Sequence, residues 1–318
     1  MRFPGFLIFH TCLLICICGC QRTQPDNEAG DSFQKSVDTN AMGSAKVDLE
    51  AWPQARVQRQ DHDVVVLDLR QVAEIDDHLV ELIVREFPKL RNLQLAGPAI
   101  TNESLRHISQ LRSLAALGLQ QTAVDDDGAK LLPQLPQLRE LSLYGSPVSD
   151  AALEPLAELT KLTKLRLRAT RITGQNAAFL TQMQAVVELE LAETTVGNDA
   201  MPHIAGMPGL ERLNLWLTQV DDAGLKHLQG RSGLTSLNLD NVAGITDASM
   251  PIVASLPRLT FLHLGGTAVS DAGLPALYPL QGLQTLFLTR TAVSRQGIAK
   301  LQRAIPDLQK LEHDFDQQ

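Results

Sequence analysis

Cysteine is nearly missing from this chain, and its distribution says more than its count. The 318 residues contain four cysteines, Cys12, Cys16, Cys18 and Cys20, all at the N-terminus. Residues 21–318 can therefore form neither an internal disulfide nor a cysteine-ligated metal site, and their stability has to come from a packed core. Aromatic residues are almost as scarce, at 4%. A core built without them is aliphatic, and an aromatic at a surface position then stands out as a candidate contact. An excess of positive charge is lacking too. With 28 Lys and Arg against 36 Asp and Glu, the formal net charge is −8, which argues against nucleic acid as a partner. No Gly-rich phosphate loop and no HExxH sequence occurs, so no cofactor and no metal are expected.

What the chain has in abundance is leucine at fixed intervals. The stretch Leu259 to Leu280 reads LTFLHLGGTAVSDAGLPALYPL. Leu259, Leu262 and Leu264 form an L-x-x-L-x-L frame whose last two leucines alternate as on a strand. Thr267, Val269 and Asp271 follow, and then Leu274, Leu277 and Leu280 recur at helical spacing. The first apolar position of this frame falls at Leu90, Leu114, Leu138, Leu162, Val186, Leu210 and Leu234, each 24 residues after the last. An extra residue near Gly244 moves the next to Leu259, and Leu283 follows. A looser copy starts at Val64 with Leu67 and Leu69. Neither half of such a unit can bury its apolar face alone, so the copies must stack.

This frame resembles the leucine-rich repeat family. The resemblance runs from about Val64 to Leu311 and implies an α/β solenoid of about ten repeats of 24–26 residues, with a curved parallel sheet on the concave face and short helices or turns on the convex face. Thr122, Thr170, Thr194, Thr218, Thr267 and Thr291 stand where many such repeats carry Asn. With the TQVDDAGL and TAVSDAGL turns, they resemble the ribonuclease-inhibitor-like and F-box-associated branch, and also exported bacterial repeat lipoproteins. The cysteine-rich, longer repeats of ribonuclease inhibitor are not matched, so its activity is not implied. The threonine hydroxyls are expected to serve backbone groups at the strand ends and to form a ladder. Asp126, Asp150, Asn198, Asp222, Asp247 and Asp271 are read as repeated helix N-caps rather than metal ligands.

Residues 1–19 read as an export signal, with Arg2 ahead of an apolar run from Phe3 to Cys18. Ile17-Cys18-Gly19-Cys20 resembles the lipobox of bacterial lipoproteins, which implies lipid attachment at Cys20 and a protein anchored in the cell envelope. Secretion without lipid and an uncleaved leader are the alternatives. Residues 20–50 read as a polar tether. Residues 51–63 read as an N-terminal cap in which Trp52 and Val57 cover the first repeat, residues 64–307 as the repeats, and residues 308–318 as a C-terminal cap whose last residues, from His313, fray.

Function is expected on the outward side chains of the strands, because equivalent positions of successive repeats lie roughly 4.8 Å apart. One row reads Glu140, Lys164, Glu188, Arg212, a sequence of alternating charge. Arg166 stands beside Glu190, and Arg168 ends its strand. Tyr144, Trp216, Phe261 and Phe287 fall at outward positions that a solenoid core does not require. Asp240 faces Trp216, and His263 is the outward histidine, with Asn238 and Phe287 rather than a carboxylate as its expected neighbours. Glu188 and Glu190 superficially suggest paired catalytic carboxylates, but the surrounding Lys164, Arg166 and Arg212 are expected to keep both ionised. The chain therefore reads as a non-catalytic protein- or peptide-binding module. Its candidate ligand-binding residues are Tyr144, Arg166, Arg168, Glu190, Trp216, Asp240, Phe261, His263 and Phe287. A self-assembling scaffold and a carbohydrate-binding module are the alternatives.

Overall fold

The computed structural model describes residues 46–315. The export signal, Cys20 and the tether up to residue 45 lie outside the described residues. Among those described, twelve strands form one sheet in chain order. β1 (Arg56–Gln60) pairs antiparallel with β2 (Asp63–Asp68). All later pairings are parallel, through β3 (Asn92–Ala96), β4 (Ala116–Gln120), β5 (Glu140–Ser142), β6 (Lys164–Arg166), β7 (Glu188–Glu190), β8 (Arg212–Asn214), β9 (Ser236–Asn238), β10 (Phe261–His263), β11 (Thr285–Phe287) and β12 (Lys310–Glu312). Short α- and 3₁₀-helical segments return the chain on the other side, and the whole is a curved solenoid.

The period decides the register. Leu141, Leu165, Leu189, Leu213 and Leu237 stack strand on strand, each 2% exposed or less. Because side chains alternate on a strand, the residues on either side of each leucine form rows on the concave face. The last helical leucines of each repeat close the core from the convex side, as Leu225 and Leu228 do. At the N-terminal end, Trp52 is buried and Val57 packs against the core. Polar β1 occupies what would otherwise be an open sheet edge. At the C-terminal end, residues 313–315 make contacts with the last repeat, and residues 316–318 lie outside the described residues. The Phe315 N–H donates to His313 Nδ1 (3.2 Å), Asp314 accepts the Arg290 N–H (2.7 Å), and Phe315 lies under the Arg295 guanidinium.

The aspartates do more than cap. The capping side chains are one residue earlier than the spacing suggests: Asp125, Ser149, Asp221, Thr246 and Ser294 accept the first free N–H groups. The carboxylates at the following position reach across to the next repeat. Asp222 Oδ1 accepts the Thr246 N–H (2.9 Å), its Oδ2 accepts the Thr246 hydroxyl (2.6 Å), and the fully buried Ser249 donates to it as well. The same link joins Asp77 to Thr101, Asp126 to Ser149, Asp150 to Thr173, Asp247 to Ser270 and Asp271 to Ser294. Where the linking residue is Asn, the next cap is Asp: Asn102 Nδ2 donates to Asp125 and Asn198 Nδ2 to Asp221. An acceptor is thus always met by a donor.

Apart from Thr122, the threonine hydroxyls serve backbone groups at the strand ends as expected, each within its own repeat. The hydroxyls of Thr170, Thr194, Thr218, Thr267 and Thr291 each donate to the carbonyl three residues back in their own repeat. Only Thr122 among them bonds across, to Ser146 at 3.0 Å. The turn at the end of each strand brings the own-repeat carbonyl within reach, and the hydroxyl takes that local acceptor first.

These links make stability pH-dependent. Burial raises the Asp222 carboxyl, but hydrogen bonds from Ser249 and Thr246 hold it below 3.8 overall, and the bond from Ser294 does the same for Asp271. A depressed folded-state pKa contributes stability that is present above the unfolded value and lost as pH falls through the folded one. Unfolding midpoints in guanidinium are therefore expected to hold from neutral pH down to about pH 5 and to drop below about pH 4. Midpoints that stay level down to about pH 3 would show that the carboxylate links contribute nothing.

Candidate functional site

Three rows of side chains cover the concave face. In the row that ends the strands, Tyr144, Arg168, Ala192, Trp216 and Asp240 follow one another, by continuation of the strand register. Ala192 is the short member and is fully buried. The gap lets the Arg168 guanidinium stack between two rings, 5.1 Å from the Tyr144 centroid and 4.6 Å from that of Trp216. Glu193 holds the guanidinium by two bonds, 3.1 and 3.0 Å. The result is a preorganised aromatic–cation–aromatic layer. Its one unmet demand is the Trp216 indole Nε1, which is buried without a hydrogen-bond partner.

A second cluster lies toward the C-terminal end. Phe287 stacks face to face on His263 at 4.4 Å and is tilted against Phe261 at 5.7 Å, with Lys310 Nζ 4.8 Å above its ring. Strand β9 separates this cluster from Trp216, so the outward aromatics form two groups rather than one patch. His263 does have a carboxylate neighbour, contrary to expectation: Nδ1 lies 3.7 Å from Asp240. Gly265 allows this, since a side chain there would meet Asp240 Oδ1 at 2.8 Å. Over the same gap Arg290 reaches Asp240 at 2.9 Å from two repeats away. Burial lowers the His263 pKa against the pull of Asp240, and Nδ1 accepts the Gly265 N–H at 3.2 Å, so Nδ1 carries no proton. The pair is a packed histidine beside a carboxylate already bonded to Arg290, an arrangement that does not suit an acid–base couple.

On the same strands as the first cluster, in the two rows nearer the strand starts, is the charge lattice. Lys164 bonds Glu140 at 2.7 Å, and Glu188 receives Arg166 at 2.6 Å and Arg212 at 3.2 Å. Burial raises the Glu188 carboxyl, but the two arginines outweigh it and the group sits below its usual 4.5. Glu190 does not follow. Burial raises it above 4.5, only partly offset by Arg166 and Arg168, because the nearest guanidinium nitrogen is 3.6 Å away. The basic neighbours, expected to keep both glutamates ionised, therefore act strongly on Glu188 and more weakly on Glu190. Glu188, Glu190, Arg212, Asn214, Ser236, Asn238 and Phe261 line an open cavity of about 300 Å³.

One row escaped sequence reasoning. The residue after each strand-end position has positive φ in nine successive repeats: Gly97, Gln121, Gly145, Ala169, Glu193, Leu217, Asn241, Gly266 and Arg290. This turns the chain out of the sheet while its N–H still bonds the next repeat, as from Leu217 to the Asp240 carbonyl at 3.0 Å. Gly and Asn at 97, 145, 241 and 266 were the available signal. In that row Leu217 is 52% exposed and is the one large exposed hydrophobic residue among those described. Glu193 and Arg290, which anchor Arg168 and Asp240, stand in the same row.

With strands, rows and caps in place, the chain can be set beside known structures. Its fold is that of a leucine-rich repeat solenoid. It is similar to an internalin (InlF) from Listeria monocytogenes str. 4b F2365, with a TM-score of 0.53 and 21% identity over 92% of each chain. A TDR receptor structure aligns with a TM-score of 0.50 and 15% identity over 72% of this chain, spanning 40% of that one. Identities this low establish the shared solenoid and nothing about the ligand. No protein-family model and no curated protein matches the sequence. Among the described residues, no group of three or more His, Cys, Asp or Glu side chains is placed to hold a metal, and no helix is long and apolar enough to cross a membrane.

Proposed function

We propose that this chain is a non-catalytic, polypeptide-binding module of the cell envelope, tethered through Cys20 and engaging its partner on the concave face. The observation that carries the reading is Leu217. An exposed leucine held at φ +55° has both an unfavourable backbone and an apolar side chain in water, and it borders Trp216 and the Arg168 layer. Features that weaken the fold and face a concave, aromatic-lined surface are expected where a partner compensates them. Glu188, Asp240 and His263 of this face are already paired or packed, which supports binding rather than acid–base chemistry.

The test compares two baits, the full-length chain extracted in mild detergent and its Trp216→Ala/Phe261→Ala/Phe287→Ala variant, with folding checked by circular dichroism. The parent is expected to retain an envelope polypeptide at least about tenfold better than the variant. Equal retention by both would remove the concave face from the mechanism. Recovery of nothing but the chain itself, lost in the variant, would move the reading to self-assembly.

A further inference from the structure

The cavity between β7 and β10 has features that the aromatic clusters do not share. Ser236 is the short residue of the first row, between Arg212 and Phe261, and its size opens the space of about 300 Å³. That volume admits one extended side chain with its charged end. The polar groups around it are fixed in orientation. Asn214 Oδ1 accepts the Trp216 N–H (3.0 Å) and Asn238 Oδ1 accepts the Asp240 N–H (2.9 Å), so neither amide can turn without breaking a backbone bond.

The charges are unevenly shared. Arg166 gives its short bonds, 2.6 and 3.1 Å, to Glu188, and Arg212 Nε is also held by Glu188 at 3.2 Å. Glu190 is left with two long contacts, Arg166 Nε at 3.6 Å and Asn214 Nδ2 at 3.5 Å, although its side chain is only 20% exposed. A largely buried carboxylate with spare acceptor capacity is the strongest unmet electrostatic demand on this face, and a charged donor is what satisfies it best. Phe261 forms the opposite wall, suited to cover a methylene stem or to face a cation. The chain's net charge of −8 adds attraction in the same sense.

From this geometry we infer that the cavity is a subsite for a basic side chain, lysine or arginine, of the bound polypeptide, with the Glu190 carboxylate as its counter-ion. The inference rests on the reading of the concave face as a polypeptide-binding surface. In it, the ammonium or guanidinium donates to Glu190 in place of water, and the aliphatic stem lies along Phe261 above Ser236.

Random-peptide phage selection on the full-length chain tests it. Selections run in parallel on the parent, Glu190→Gln, Ser236→Leu and Trp216→Ala/Phe261→Ala. The Glu190→Gln exchange keeps the shape and removes the charge; the Ser236→Leu exchange fills the cavity and leaves Glu190 intact. Parent-selected peptides are expected to carry Lys or Arg at one fixed position, and both single variants to lose that preference. An enriched peptide resynthesised with citrulline for arginine, or norleucine for lysine, is expected to bind the parent roughly 10- to 100-fold more weakly. The same exchange should change binding to Glu190→Gln by less than about threefold. Peptides selected without a basic position, or a preference that survives in Glu190→Gln, would overturn the subsite and leave the binding reading in place. No peptide retained above the Trp216→Ala/Phe261→Ala background would overturn both.

Discussion

Asn198→Asp will destabilise the solenoid by about 1 kcal/mol at neutral pH, the pair being solvent-screened, although aspartate stands at the equivalent position of most other repeats. Asn198 Nδ2 donates to Asp221 Oδ1 at 2.8 Å and Asn198 Oδ1 accepts the Asp221 N–H at 3.0 Å. That amide is the first cause of the lowered Asp221 pKa, ahead of the bond from the Ala223 N–H. An aspartate at 198 removes the donor and sets two carboxylates against each other, so one of them must be pushed toward protonation. A charge near a helix N-terminus returns only a few tenths of a kcal/mol. The raised carboxyl also gives the sign of the pH effect. A folded-state pKa above the unfolded value means the destabilisation is present above it and disappears as pH falls through it, so the gap to the parent closes on acidification. Adding Asp221→Thr should restore stability, because it recreates the Asp222–Thr246 pairing of the next link, in which the threonine hydroxyl both donates to the carboxylate and caps the Ala248 N–H. Urea midpoints of the two single variants and the double variant give the coupling, expected to be about 1 kcal/mol. Additive effects would show that the carboxylates do not feel each other.

The same pairing shows why part of this molecule was legible in its sequence. Spacing carries the fold, because a strand leucine every 24 residues can be buried only by stacking, and Leu165 on Leu189 on Leu213 is the direct outcome. Spacing also placed the charge row, since Glu140, Lys164, Glu188 and Arg212 occupy one position of the frame. It could not place what depends on side-chain reach. Asp222 sits beside its own helix in sequence but bonds the next repeat, and Arg290 reaches Asp240 over Gly265 across fifty residues of sequence. Nor could it apportion two arginines between two glutamates. Both Arg166 and Arg212 direct their short bonds to Glu188, while burial dominates at Glu190, and this separates their pKa directions. The cavity arose the same way, from Ser236 having no bulk between two larger neighbours.

Leu217→Asn is expected to act in opposite directions on stability and on binding. Left-handed backbone costs a leucine about 1–2 kcal/mol, and asparagine adopts it with far less strain. Asn241 already occupies the corresponding position in the next repeat at φ +54°. The side chain is 52% exposed, so its removal takes little from the core. Unfolding should therefore become harder by about 0.5–1 kcal/mol, seen as a higher urea midpoint with an unchanged slope. The Leu217 N–H to Asp240 carbonyl bond is made by the backbone and survives the exchange. If the concave face binds a polypeptide, the same substitution should weaken retention of that polypeptide by roughly 10- to 30-fold, the effect of truncating an apolar contact next to an aromatic anchor. Two changes of opposite sign from one side chain are not produced by a residue whose role is structural. A variant that gains stability and binds as before would leave Leu217 as tolerated strain, and a variant that loses stability would mean that the leucine packs on Trp216 strongly enough to outweigh its backbone.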